Sequence, residues 1–428
     1  MGNGRLQLDV VALDQGDEVT VLVDVTAPVP DGTVERAPVM VVVALDRSAS
    51  MSGRRMRAAR DALVDLVGRL RPGDRFGLVT FDDEALLVVP AEPVTDPASV
   101  VEVIEDIVVG GGTDVSAGLL RGLQEVRRVS SGGPAHLVVL SDGHATRGLT
   151  SPALLGGLVG RHAQHGVTTS TLGLGLGYDE GLLGAVARAG GGQELFAEHA
   201  AEAGPLLARV LDRATEQVVV GAVLRVRRAQ GVVDLVVADE LPVHTVDDGL
   251  LVELGGLTAG ETRSVVLTAT RGRRGTGPGT EVAHLELRGA VLPGLEEDEQ
   301  TRTVRLGEVA TDPSVAARVR RELLHRDTQS AKRRAAAHLA DGDVDAATAV
   351  LGSALTELRT VVGAPDPGRE LDDLRSEGER LARFIDEAVQ GSTSRAAKGL
   401  RADAAEGARG ATGSSSPTAR GRTTGRSG

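Results

Sequence analysis

Asp46, Ser48 and Ser50 close the run Val41-Val42-Val43-Ala44-Leu45-Asp46-Arg47-Ser48-Ala49-Ser50 and place one carboxylate and two hydroxyls in a single tight turn. Hard oxygen donors grouped in this way suit a divalent cation that takes near-octahedral oxygen coordination, Mg²⁺ or Mn²⁺. Two later segments extend the set. Gly110-Gly111-Gly112-Thr113-Asp114 offers another hydroxyl, and the apolar run from His136 to Leu140 leads through Ser141 to a second carboxylate, Asp142. Alone, Asp-x-Ser-x-Ser is also ordinary turn and helix-cap chemistry. The ordered arrival of Thr113 and Asp142 supplies the context that points to a metal site.

These residues resemble the von Willebrand factor type A (VWA) family, whose metal-ion-dependent adhesion site joins D-x-S-x-S to a later Thr and a later Asp. Position by position, the resemblance puts Asp46, Ser48, Ser50, Thr113 and Asp142 in the five metal-site roles. If the hydroxyls coordinate directly while Asp46 and Asp142 act largely through water, the ion keeps much of its charge and still takes an anionic oxygen. In the family that ligand is commonly a Glu or Asp carboxylate of a protein partner, so the resemblance implies a metal-dependent protein-binding module, not an enzyme. It also implies an alternative, an adaptor for an AAA-type ATPase, because cytoplasmic VWA proteins of similar appearance often serve such machines. Without a cation Asp46 and Asp142 repel each other, so metal binding is expected to stabilise the fold.

Other chemistries weigh less. A Mg²⁺-dependent phosphotransferase or hydrolase would use Asp46 as a nucleophile, but such sites place a second carboxylate two residues on, where this chain has Ser48. With no cysteine there is no thiol catalysis, and no Gly-x-Ser-x-Gly elbow is present. Gly110 to Gly112 is not followed by Gly-Lys-Ser/Thr, and Gly173, Gly175 and Gly177 are spaced G-x-G-x-G, unlike a dinucleotide fingerprint. His162 and His165 lack further zinc ligands nearby and read as solvated positions; His144, two residues past Asp142, belongs at the rim of the metal site.

The elements that must hold these residues follow from periodicity. Met40 to Leu45 is uninterrupted apolar sequence, as in a parallel strand covered on both faces. Met56, Ala59, Leu63, Leu66, Val67 and Leu70 keep helical spacing until Pro72-Gly73. Arg75–Phe81 predicts the next strand and Ala85–Val89 a short edge partner. Pro97–Val108 and Val115–Val129 predict helices, followed by strand Leu137–Leu140, helix Ser151–His165, strand Val167–Leu174, helix Tyr178–Ala189, a short strand at Leu195-Phe196 and helix Ala200–Thr215. This alternation implies a doubly wound, mostly parallel, Rossmann-like α/β sheet, with ligands at strand carboxyl ends near a topological switch point.

Outside residues 37–216, Leu6–Ala12 and Glu18–Thr26 alternate like strands, and six short strands between 217 and 310 suggest an antiparallel β-sandwich: Ala222–Arg228, Val232–Val237, Leu250–Leu254, Thr262–Thr270, Glu281–Arg288 and Gln300–Leu306. Two strands cannot stand alone, so residues 1–36 are expected to complete that sandwich with the α/β unit inserted in it. Residues 311–390 read as helical, with a hairpin broken at Asp341-Gly342-Asp343, and residues 391–428 as a disordered tail with seven Lys/Arg against two Asp/Glu. The formal charge of −13 and the near absence of aromatics (four Phe, one Tyr, no Trp) argue against nucleic acid as the main ligand. No apolar run reaches membrane-spanning length, Met1–Val10 lacks a signal pattern, and cysteine is absent, so a cytoplasmic protein without membrane contact is expected.

Overall fold

The computed structural model describes residues 4–410, apart from 15, 31–35, 130–133, 239–240, 273–278, 306–312, 363–371 and 392. Two strands, β1 (Gln7–Asp14) and β2 (Glu18–Thr26), precede the α/β unit. That unit runs β3 (Met40–Asp46), α1 (Arg54–Arg69), β4 (Arg75–Phe81), β5 (Ala85–Pro93), α2 (Pro97–Glu105), α3 (Val115–Val129), β6 (Ala135–Ser141), α4 (Pro152–Ala163), β7 (Val167–Leu174), α5 (Glu180–Ala189), β8 (Gly191–Ala197) and α6 (Ala203–Glu216).

Its six strands form one sheet in the order β5-β4-β3-β6-β7-β8, parallel throughout except for the β4–β5 hairpin. Every residue of β3 is buried because both faces are covered. Val41, Val43 and Leu45 pack with α1, α2 and α6, whereas Met40, Val42 and Ala44 pack with α3, α4 and α5. Helix α2 stops at Glu105, short of the expected Val108. The chain beyond it must reach back to the β3–α1 turn, where the Gly110 N–H donates to the Arg47 carbonyl at 2.6 Å. The last strand is longer than Leu195-Phe196 because Gly192 passes close to the Thr169 carbonyl, where a side chain would collide.

The next strands are β9 (Gln217–Arg228), β10 (Val232–Val237), β11 (Val243–Val246), β12 (Gly249–Thr258), β13 (Thr262–Arg271), β14 (Glu281–Val291) and β15 (Glu296–Arg305). They form two antiparallel sheets, β1-β2-β13-β10 and β11-β12-β9-β14-β15, whose facing residues share one core. Strands β1 and β2 lie in the first of these, with Thr26 opposite Thr262 and Val19 opposite Ala269. The α/β sheet is therefore inserted between the parts of a sandwich. Strand β2 was expected to be half-buried, yet seven of its nine residues are buried. Helix α7 (Pro313–Ala340) covers its outer face, with Val319 packed on Leu22 and Val266.

Helices α8 (Val344–Val362), α9 (Asp372–Val389) and α10 (Thr393–Gly410) complete a helical bundle with α7. The α7–α8 hairpin turns where Asp341-Gly342-Asp343 predicts it. Helix α10 corrects the expectation of disorder from residue 391. The Ala-rich composition favours helix, and Ala396, Ala397, Leu400 and Ala404 form a buried stripe at helical spacing. Residues 411–428 of the expected tail lie outside the described residues. No helix among the described residues is long and apolar enough to cross a membrane.

Candidate metal centre

Strand order reverses between β3 and β6, whose parallel register places Leu45 beside Leu140. A doubly wound sheet opens a crevice beyond the carboxyl ends at such a point. Asp46 ends β3 there, and Ser141 ends β6 with Asp142 next in the chain.

A continuous hydrogen-bonded chain joins them. The Ser141 hydroxyl donates to Asp46 Oδ2 at 2.5 Å, and Asp46 Oδ1 accepts the Ser48 backbone N–H at 2.7 Å. This second bond is an Asx-type turn that curls the backbone back over the strand end. The Ser48 and Ser50 hydroxyls lie 2.9 Å apart, and Ser50 Oγ donates to Asp142 Oδ1 at 2.7 Å. A single turn of 3₁₀-helix, Ala49–Met51, holds Ser50 in place because Met51 is wholly buried beneath it. The other oxygen of Asp142 accepts from Arg55 Nη1 at 2.6 Å, while the same nitrogen donates to the Ser50 carbonyl at 3.1 Å.

Thr113 arrives by backbone contacts. The Gly110 N–H bonds Arg47, the Gly111 carbonyl accepts the Ala49 N–H at 3.1 Å, and Thr113 N–H donates to the Thr146 hydroxyl at 3.0 Å. Thr113 is buried, at 4% exposure, and among the described residues its hydroxyl stands outside the hydrogen-bonded chain of the other four. A side chain at 110 would run into the buried carboxylate of Asp82, and side chains at 111 and 112 would displace the exposed carboxylate of Asp83; these two acids follow β4 and pair with Arg47 at 2.8 Å and Arg147 at 2.7 Å.

Burial drives the Asp46 carboxyl above its ordinary range; the Ser141 and Ser48 hydrogen bonds oppose this, and the charge of Asp142 adds to it. Two carboxylates and two hydroxyls therefore converge in an all-oxygen group with net negative charge, in which Asp46, Ser48 and Asp142 are buried and Ser50 faces solvent; this is the donor set a hard divalent cation takes. Among the described residues no cluster of three or more His, Cys, Asp or Glu side chains offers a competing site. His162 and His165 each bond a carbonyl of their own helix stretch, at Leu158 and Arg161. His144, two residues past Asp142, is exposed and lies 3.6 Å from Asp179 in the β7–α5 loop.

Residues 41–144 match the family model of the von Willebrand factor type A domain. The chain carries a VWA domain. An uncharacterised protein of Synechocystis sp. is 30% identical over 168 residues, 39% of this chain and 40% of that protein. Human inter-alpha-trypsin inhibitor heavy chain H4 is 32% identical over 135 residues, 29% of this chain and 14% of that protein. The chain thus spans well under two thirds of these relatives. The whole architecture is similar to that of a von Willebrand factor type A protein from Catenulispora acidiphila, with TM-score 0.72 and 17% identity, covering 94% of this chain and 97% of that one. It is also similar to the ArnB paralog VWA2 from Sulfolobus acidocaldarius, with TM-score 0.61 and 16% identity, covering 94% and 98%. At these identities the likeness is one of fold: a VWA sheet flanked by antiparallel sheets and followed by helices.

Four residues of the VWA face are not marked by the sequence motif. Ser141 lies beside Asp142 in the same segment but has no place in the motif. Arg55 is one of several arginines at the start of α1, and nothing in its spacing marks it. Asp82 and Asp83 did carry a signal, two acids directly after an apolar strand.

Proposed function

We propose that the VWA domain binds another protein through Mg²⁺ or Mn²⁺ held by Asp46, Ser48, Ser50, Thr113 and Asp142, with a Glu or Asp carboxylate of the partner completing the coordination. The observation that carries this reading is the chain Ser141–Asp46–Ser48–Ser50–Asp142, which gathers oxygen donors at the topological switch point. A bound cation would supply a positive centre for the partner's carboxylate. The protein's own residues orient the donors: Ser141 and the Ser48 N–H fix both oxygens of Asp46, and Met51 seats Ser50. Both oxygens of Asp46 accept hydrogen bonds in a fully buried position, which favours a supporting carboxylate over a nucleophile and binding over catalysis.

Calorimetric titration with Mg²⁺ and Mn²⁺ tests the reading together with thermal melts. Free cation at about 100 times its dissociation constant is expected to add about 2.7 kcal/mol to the stability of the native state. Asp142→Ala is expected to abolish both heat and stabilisation, and a partner captured in Mg²⁺ to be released by EDTA. Equal cation binding by Asp142→Ala and the unaltered protein would remove Asp142 from the site.

A further inference from the structure

The face of α10 opposite its apolar stripe carries Arg395, Lys398 and Arg401 at three-residue intervals. It lies against the β8 edge of the VWA sheet, where the groups beneath it are acidic. Lys398, 3% exposed, donates to Glu180 Oε2 at 2.8 Å and to the Tyr178 carbonyl at 3.2 Å, with its ammonium 4.1 Å from the centre of the Tyr178 ring. Arg395 pairs with Glu198 at 2.5 Å. Glu194 is buried nearby, and burial raises its carboxyl while the charges of Arg188 and Arg401 oppose the rise.

Tyr178 belongs to the β7–α5 loop, residues 175–179, and that loop forms one wall of the site. A Cβ on Gly177 would sit 3.5 Å from the Asp142 carbonyl oxygen, and one on Gly175 would sit 3.3 Å from the Arg55 guanidinium. His144 and Asp179 close the same side. The loop is thus held from beneath by α10 and touches, from above, the corner where Arg55 meets Asp142.

We infer that α10 is a latch on this loop and Lys398 a positioning residue of the metal face, so that docking of the helical bundle sets how firmly the Asp142–Arg55 corner is held. The contact is suited to release. It is polar and charged, as interfaces between units that move relative to one another are, and a cavity of about 140 Å³ is left between Ala402 and the sheet edge. Ionic strength weakens such pairs where they reach solvent, as Arg395 does with its side chain 52% exposed. Within the bundle, α10 is tied to α7 by the ion pair of Asp403 with Lys332. A partner or ligand that moves the bundle therefore moves the loop. The effect on cation affinity rests on the metal reading above; the hold on the loop does not.

Hydrogen exchange of the full chain, with Mg²⁺ titration in parallel, tests both halves. Lys398→Met keeps the aliphatic stem and removes the cation. It is expected to speed exchange of the 175–179 amides about tenfold while β3 and β6 stay protected, and to weaken Mg²⁺ binding about five- to tenfold. Lys398→Arg, which keeps a cation over the ring, is expected to restore most of both. Arg395→Glu, at an exposed position that leaves the core intact, should shift loop exchange in the same direction if Lys398→Met fails to fold. Unchanged loop exchange in the variants that fold overturns the latch whatever the metal does. Faster loop exchange with unaltered Mg²⁺ affinity overturns the coupling. If the unaltered protein takes up no Mg²⁺, the metal reading and the coupling fall together, and loop exchange alone decides the latch.

Discussion

Asp46 shows how much of the site's chemistry is set by single partners. A carboxylate in a fully buried position needs its oxygens satisfied, and it receives them from the Ser48 N–H and the Ser141 hydroxyl. Ser141→Ala leaves Asp46 Oδ2 without its donor and is expected to cost about 1–3 kcal/mol in urea unfolding. In saturating Mg²⁺ the loss should shrink, since a cation near Asp46 answers the same charge. A second buried group gives a pH signature. His136 packs between the VWA sheet and the sandwich, with Nε2 3.2 Å from Gln217 Oε1, and burial pushes its pKa down to about 4. Between pH 6.5 and about 4 the unfolded chain binds a proton that the native chain does not, so stability falls as the pH drops through that window. The full loss is about 3 kcal/mol. Urea midpoints at pH 7 and pH 5 should show this decline in the unaltered protein and a smaller one in His136→Gln; equal slopes would remove His136 as a source. The oxygen donors were legible because their types and order are distinctive. Ser141 and Arg55 were not, because one hydroxyl beside a motif and one arginine among many become specific only when strand register and helix phase bring them to the carboxylates.

Helices and strands position these residues through close contacts that a sequence pattern only partly reveals. The parallel strands were legible as continuous apolar runs, and α1, α3, α5 and α6 from their spacing and stops. Strand β11 was missed because four residues, two of them exposed, carry little pattern. Over 393–410 the expected disorder gives way to helix: a Gly-, Ser-, Thr-, Ala- and Arg-rich composition suggests disorder, whereas small residues at helical spacing suit a close helix–helix contact. Gly399 is an instance, lying where a Cβ would come within 2.9 Å of the Phe384 ring. Helix α3, which follows Thr113, depends on the same device against the sheet. A Cβ at Gly118 would collide with the Phe81 ring on β4. Gly118→Ala is therefore expected to destabilise the protein by about 1–3 kcal/mol in spite of alanine's better helix propensity. Because α3 carries the Thr113 loop, a thermal melt of the variant should also show weaker stabilisation by Mg²⁺. A variant as stable as the unaltered chain would mean that α3 can shift on β4 without cost.

At the scale of the whole molecule the bundle is a strut between two parts of the chain. At one end α7 grips the outer face of the four-stranded sheet: Val319 is buried on Leu22 and Val266, Arg318 pairs with Asp24, and Arg326 donates to the Ser264 carbonyl at 2.8 Å. At the other end α10 rests on the VWA edge through Lys398. Between them, Lys332 of α7, 1% exposed, pairs with Glu377 of α9 and Asp403 of α10. Burial would raise the Glu377 carboxyl, but the charges of Lys332 and Arg380 hold it below its ordinary range. A buried charge left without its partner is strongly destabilising. Lys332→Ala strips the cation from two carboxylates at once, and with Arg380 still bonded to Glu377 the expected cost is about 3 kcal/mol. That cost falls on the bundle, since neither antiparallel sheet nor the VWA sheet contributes a residue to the triad. Calorimetry should therefore resolve a helical transition at lower temperature while the transition of the sheets stays in place. The latch adds a further consequence: once the bundle has melted, the 175–179 loop should exchange as fast as it does in Lys398→Met. A single transition lowered as a whole would instead make bundle, sandwich and VWA domain one cooperative unit, in which α10 could not let go of the loop without unfolding the rest.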